Sequence, residues 1–343
     1  MAHLASVQAA PAPRIDDSWR SWIAENLMLG GAPQDLARVL ASQGFHVFEI
    51  ERELQLALSS PYLRGVRRLQ NRIAKRDWLL GIQQKLNRLR PPVIERRAKL
   101  SREAFLHDYY AQNRPVIITG MMEDWPALQK WNLDWLAAQF GAREVEVQFG
   151  RNADANYELN SIAHKKKMRF GEYCNLVRTA GATNDFYMTA NNDSANRQAL
   201  IELWQDIVQL PEYLRADDAQ RGFFWFGPAG TITPFHHDLT NNFMAQVMGR
   251  KRVKIMAACD TPLLRNFRHC FTEIDGRNPD PARWTELRDV QIHECVLEPG
   301  EILFLPVGCW HFVEGLDISI TIAFTNFLWD NDFFSNYPQD HDF

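Results

Sequence analysis

Apolar residues change their spacing along this chain, and the change divides it. From Ser18 to about Arg90 they recur every three or four residues: Trp19, Trp22, Ile23 and Leu27 before a Gly30-Gly31 pair, then the runs Ala32 to Leu40 and Val47 to Leu58 with Gly44 between them. Such spacing puts the residues on one stripe of a helix and glycine ends it, so this part predicts a small bundle of short helices. Val66, Leu69, Ile73 and Leu80, followed by Leu79, Ile82, Leu86 and Leu89, continue the pattern into one or two amphipathic helices. Pro91-Pro92 closes them, because proline removes a backbone donor and restrains the residue before it. Three segments are therefore expected: a disordered tail at 1–17, a helical domain at 18–95 and a second domain at 96–343.

Past the prolines the period changes. RPVIITG, VEVQFG, DFYMTA, FFWFG, RVKIMA, QIHECVL, EILFLPV and ISITIAFTNF are short β-branched or aromatic runs, many bounded by Gly, Pro, Asn or Asp, and they read as strands. Helices are expected at Asp134 to Phe140 and Gln198 to Val208. The class is α+β, with the strands closing into a barrel or a double-sheet jelly roll.

Composition narrows the picture without deciding it. A chain of 343 residues with 46% apolar content can bury a real core, which excludes a disordered protein. The formal charge of −4 gives no overall attraction to nucleic acid, but twelve Lys/Arg against two acids between Leu63 and Lys99 make a local net of +10 and leave −14 for the rest. The basic segment 64–99 is expected to be the solvated face of its helices, with docking to an acidic partner as the alternative and nucleic acid disfavoured. Cys174, Cys259, Cys270, Cys295 and Cys309 form no CxxC pair, as expected of a reducing, cytoplasmic setting. No secretory leader and no uninterrupted run of membrane-spanning length is visible, so no membrane partner is expected.

The candidate chemistry lies in TITPFHHDLTNN. His236 and Asp238 are two apart, and in an extended segment such residues project from one face. His311, in LPVGCWHF, offers a third donor from far along the chain. Two imidazoles and one carboxylate leave half of an octahedral ion open, which suits Fe(II) that must also hold a chelating co-substrate and O2. His237 should face away from the ion.

At these residues the chain resembles the JmjC family, and within it the asparaginyl hydroxylase called factor inhibiting HIF and the arginine-hydroxylating JmjC-only enzymes. The resemblance runs from about Phe105 to Asp330 through RPVIITGMMEDWPALQKW, FWFGPAGTITPFHHDLTNNFMAQVMGRKRVKI and EPGEILFLPVGCWHFVEGLDISITIAF. It implies a double-stranded β-helix, or cupin-like, core. It also implies Fe(II), 2-oxoglutarate and O2 as cofactors, with Lys251 paired to the far carboxylate of 2-oxoglutarate, Thr233 and Tyr187 bonding the same carboxylate, and Asn242 beside the iron-bound end. Two positions depart from the pattern. Ala323 stands where the asparaginyl hydroxylase has asparagine, and Gln148 stands where the arginine hydroxylases place a carboxylate, which counts against an arginine substrate.

The implied reaction is hydroxylation of an amino-acid side chain in a protein or peptide, with succinate and CO2 as coproducts. Trp225, Phe226, Trp310 and Phe312 are candidate walls of the substrate site, and Gln148, Asn191 and Asn192 candidate polar contacts to substrate. Competing expectations are a tailoring hydroxylase of a free amino acid or small natural product, a histone-type demethylase, and an inactive cupin-like binding protein. The helical domain is expected to recruit substrate or to form a homodimer.

Overall fold

The structure, a computed structural model, describes residues 13–189, 193–216, 222–266 and 269–338. It divides into two compact units, Met1–Ile82 and Gln83–Phe343. The parting falls within a helix, ahead of the prolines.

In the first unit, helices α1 (Asp17–Met28), α2 (Pro33–Ser42) and α3 (Val47–Ser59) are followed by the long α4 (Pro61–Asn87), which runs past the unit's end. Asp16 starts α1 by accepting the amide of Trp19, and Pro33 opens α2 where no donor is needed. Ile23, Leu27, Leu36, Leu40, Phe45, Ile50 and Leu54 bury the predicted stripes against one another. Among its described residues α4 buries none, and Leu69, Trp78 and Leu89 beyond it are more than half exposed.

The second unit is built on strands β1 (Arg96–Ala98), β2 (Val116–Thr119), β3 (Glu144–Phe149), β4 (Lys165–Arg169), β5 (Phe186–Tyr187), β6 (Phe223–Gly227), β7 (Ile232–His237), β8 (Asn242–Met248), β9 (Lys251–Met256), β10 (His293–Leu297), β11 (Ile302–Leu305), β12 (Trp310–Gly315) and β13 (Ser319–Phe324). They form a six-stranded sheet in the order β1-β2-β11-β8-β13-β6, a four-stranded sheet in the order β10-β9-β12-β7, and a three-stranded sheet β4-β3-β5. Successive strands from β6 to β13 alternate between the two larger sheets, save that β9 and β10 both lie in the four-stranded one, and this is the double-stranded β-helix expected of the class.

Three apolar layers follow from strand alternation. Ile117, Met244, Val253, Ile255, Leu297, Leu303 and Val313 come from both sheets and fill the space between them. Phe105, Tyr213, Phe243, Phe304 and Phe327 cover the outer face of the six-stranded sheet, together with the helices Leu133–Phe140 and Phe170–Thr179. Phe235, Met256, Trp310 and Phe312 meet Leu264, Ile274, Trp284 and Leu287 of the segment between β9 and β10, on the outside of the four-stranded sheet. The helix expected over Gln198 to Val208 is not there: an α-helix ends at Ala199 and a 3-10 turn occupies Ile201–Asp206, where Leu203 and Asp206 are buried by tertiary contact.

Candidate metal centre and its cavity

His236 and His311 face each other across the antiparallel pair β7 and β12, in direct register. Their ring centroids are 4.2 Å apart. Asp238 follows the end of β7, with its oxygens 3.6 Å from His236 Nε2 and 3.9 Å from His311 Nε2. The donor atoms of the three residues all lie within 4.8 Å of one another, a spacing one ion can span. No other group of histidine, cysteine or carboxylate residues among those described meets the same test.

The backbone fixes which ring nitrogens are available. His236 Nδ1 lies 2.9 Å from the Pro234 carbonyl and His311 Nδ1 lies 3.0 Å from the Cys309 carbonyl. A carbonyl can only accept, so each Nδ1 carries a proton and each Nε2 is left facing Asp238; burial opposes a charge on His236, yet its hydrogen bond with Asp238 raises it above the usual imidazole value. Burial, reinforced by the neighbouring His236, pushes His311 down to about 4, so it is neutral at physiological pH. Burial alone would raise Asp238, yet His236 and His311 hold it well below the usual carboxylate range. Asn242 Nδ2 donates to Asp238 Oδ2 at 3.0 Å and fixes the carboxylate's rotation. A carboxylate oxygen and two imidazole Nε2 atoms therefore converge before any metal arrives, and this donor set, once a metal displaces the proton shared by His236 and Asp238, fits Fe(II).

The triad opens into a cavity of about 570 Å³ that Tyr187, Trp225, Thr233, Asn242, Lys251, Met244, Ala323 and Thr325 also line. Lys251 begins β9 and is 2% exposed. Its Nζ donates to the Tyr187 hydroxyl at 3.0 Å. Burial pushes this ammonium down to about 7, and among the described residues no carboxylate offsets the cost. A buried cation of this kind calls for an anion from outside the protein, and the far carboxylate of 2-oxoglutarate fits that need.

Several sequence-predicted wall residues do not reach the cavity. Trp310 and Phe312 flank His311 on β12, so alternation turns both to the opposite face, where Trp310 Nε1 donates to Thr261 Oγ1 at 3.0 Å. Phe226 is buried behind β6 against Tyr173. Gln148 is fully buried on β3 opposite Tyr187 but is not among the cavity's lining residues. Asn191 and Asn192 lie outside the described residues. His237 packs on Trp310 and Tyr337, away from the triad.

Other lining residues went unread in the sequence. Glu158, Leu159 and Ser161 come from the loop after β3, and Phe271 stacks on His236 with centroids 5.5 Å apart. None lies in a motif.

Comparison with known proteins places this arrangement. A family model described as a cupin-like domain matches residues 101–335. The lysine-specific demethylase JMJ30 of Arabidopsis thaliana is 33% identical over 250 residues, covering 70% of this chain and 55% of that protein. Lysine-specific demethylase 8 of Xenopus tropicalis is 29% identical over 259 residues, 71% of this chain and 56% of the relative. The tRNA wybutosine-synthesizing protein 5 of Gallus gallus is 26% identical over 245 residues, 67% of this chain and 74% of the relative. The chain thus spans little more than half the length of the demethylases it matches. These relatives carry the likeness to the JmjC family as a whole and do not single out the asparaginyl or arginine hydroxylases within it. With the matched segment enclosing the four-stranded sheet, all of the six-stranded sheet but β1, the triad and the buried lysine, the chain belongs to the cupin-like JmjC family of Fe(II)- and 2-oxoglutarate-dependent oxygenases.

Proposed function

We propose that this protein hydroxylates an amino-acid side chain of a peptide or protein. His236 Nε2, His311 Nε2 and an Asp238 oxygen would hold the iron, Lys251, Tyr187 and Thr233 the far carboxylate of 2-oxoglutarate, and Asn242 would steady the metal-side end. When bound, iron, 2-oxoglutarate and O2 supply the oxidising equivalents that replace an unactivated C–H by C–OH, with succinate and CO2 as coproducts. The chain's own work is placement. Its backbone carbonyls orient both imidazoles, Lys251 compensates the anion's charge, and Trp225 and Phe271 narrow the cavity so that a target carbon, rather than water, lies against the open face of the triad.

One observation carries the reading: a lysine with no anion among the described residues, buried in the same cavity as a three-donor set that leaves half a coordination sphere open. The cavity of about 570 Å³ exceeds what a small dicarboxylate fills and leaves room for a side chain. A second reading, removal of a methyl group from lysine by hydroxylating the methyl carbon, is favoured by the names of the demethylase relatives. Both are tested by incubating the protein with Fe(II), 2-oxoglutarate and peptide pools under air. Succinate formation with a mass gain of one oxygen atom supports the first reading, loss of a methyl group supports the second, and turnover with free amino acids alone refutes both.

A further inference from the structure

The cavity has a second cation behind it that no motif contains. Gly150, at φ +74°, turns the chain inward after β3 and delivers Arg151 to the interior, where it is 1% exposed. Its Nη2 donates to Glu158 Oε1 at 2.8 Å and to the Ile232 carbonyl at 2.7 Å, while Nε and Nη1 are buried without an acceptor among the described residues. The guanidinium carbon lies 4.3 Å from the ring centroid of Tyr157 and 5.2 Å from that of Tyr187. Tyr187 is the residue whose hydroxyl receives Lys251 Nζ, so two cations address one phenol, one at the oxygen and one at the ring. Gln148, opposite Tyr187 in the three-stranded sheet, adds a fully buried amide whose two polar atoms have no partner among the described residues.

Glu158 pairs the charge of Arg151, but the two remaining guanidinium nitrogens and the Gln148 amide are costly to bury without partners. Arg151 does not line the cavity but touches two residues that do, Glu158 through an ion pair and Tyr187 through its ring, and the ring contact is the one that leads to the hydroxyl beside Lys251. A cation against a ring withdraws electron density from it and makes the phenol a stronger donor to an anion. A guanidinium also stays charged at every accessible pH, unlike a buried ammonium.

We propose that Arg151 is a positioning residue for the co-substrate, acting from beneath the Tyr187 ring to strengthen the hydroxyl's hold on the far carboxylate. This rests on the cavity being the 2-oxoglutarate site. The test is the dissociation constant of 2-oxoglutarate in the full chain loaded with Zn(II), measured by calorimetry in wild type, Arg151→Met, Tyr187→Phe and the double variant. Arg151→Met should weaken binding roughly tenfold, as expected for losing support to a charged hydrogen bond, and should have little further effect once Tyr187 is phenylalanine. Arg151→Lys, which keeps the charge, should recover most of the loss. Equal affinity in wild type and a folded Arg151→Met, or full additivity with Tyr187→Phe, overturns the proposal. If Arg151→Met does not fold, the same cycle run with Arg151→Lys decides, since its residual loss must also vanish in the phenylalanine background. Failure of wild type itself to bind 2-oxoglutarate would instead overturn the reading of the cavity.

Discussion

At the scale of single residues, strand alternation made the site legible. The HxD spacing put His236 and Asp238 on one side, and the distant His311 completes the set in register. The same rule, applied to the neighbours of His311, turns Trp310 and Phe312 away, so the expectation that they wall the cavity failed on a principle already in use. His311→Ala should leave a protein that no longer retains Fe(II) through gel filtration, checked by metal analysis of the eluted peak. Lys251 gives a signature in pH. Its folded value of about 7 lies below the ordinary lysine value of 10.5, so between those limits the folded ligand-free protein binds fewer protons than the unfolded chain, and its stability rises with pH. The melting temperature of the metal-free protein should therefore gain from this group as pH climbs above about 7, a contribution missing in Lys251→Met. The same substitution should weaken 2-oxoglutarate binding on the order of a hundredfold, measured by calorimetry.

At the scale of elements, turns deliver the chemistry. β8 and β9 are joined through Gly249, whose φ is +65° and whose position would bring an added Cβ to 2.2 Å from the Ile318 carbonyl. Gly249→Ala should cost about 2–4 kcal/mol in denaturant unfolding and displace Lys251 two residues on. The loop that carries Glu158, Leu159 and Ser161 to the cavity is pinned by Asp154, which bonds His164 Nε2 at 3.0 Å and Asn160 Nδ2 at 2.8 Å. The Asp154 hydrogen bond raises His164 above its ordinary 6.5, so the pin's contribution is fully present below that value and is lost as pH rises through the folded pKa. Hydrogen exchange of residues 155–163, corrected for intrinsic rates, should show more opening at about pH 8 than at about pH 6, and the difference should disappear in Asp154→Asn. The β-branched runs announced most strands before the fold was known. Gln198 to Val208 misled because its apolar residues suit a helix, whereas burial of Leu203 and Asp206 against their neighbours draws the segment into a 3-10 turn.

At the scale of the molecule, the two units have separate apolar cores: the first draws on residues from Ile15 to Leu63, the second on residues from Ile94 onward. A chain beginning at Gln83 should therefore keep its iron and 2-oxoglutarate binding, checked by the same calorimetry, while Phe105→Ala should cost about 3–5 kcal/mol by opening the aromatic layer over the six-stranded sheet. The sequence could show that a helical part precedes a β part, because the period of apolar residues changes. It could not place the parting at Ile82/Gln83, since the helix runs on through Gly81 to Asn87 and the spacing of its apolar residues does not change there. The aromatic backing of β12 bears on how the protein handles its ion. With Trp310 and Phe312 seated among Phe235, Met256 and Trp284, the strand that presents His311 is anchored from behind whether or not anything occupies its front. Chelation should then empty the centre without unravelling it, and the stripped protein should reload from free Fe(II) at once, as a socket does, where a zinc finger would have to refold.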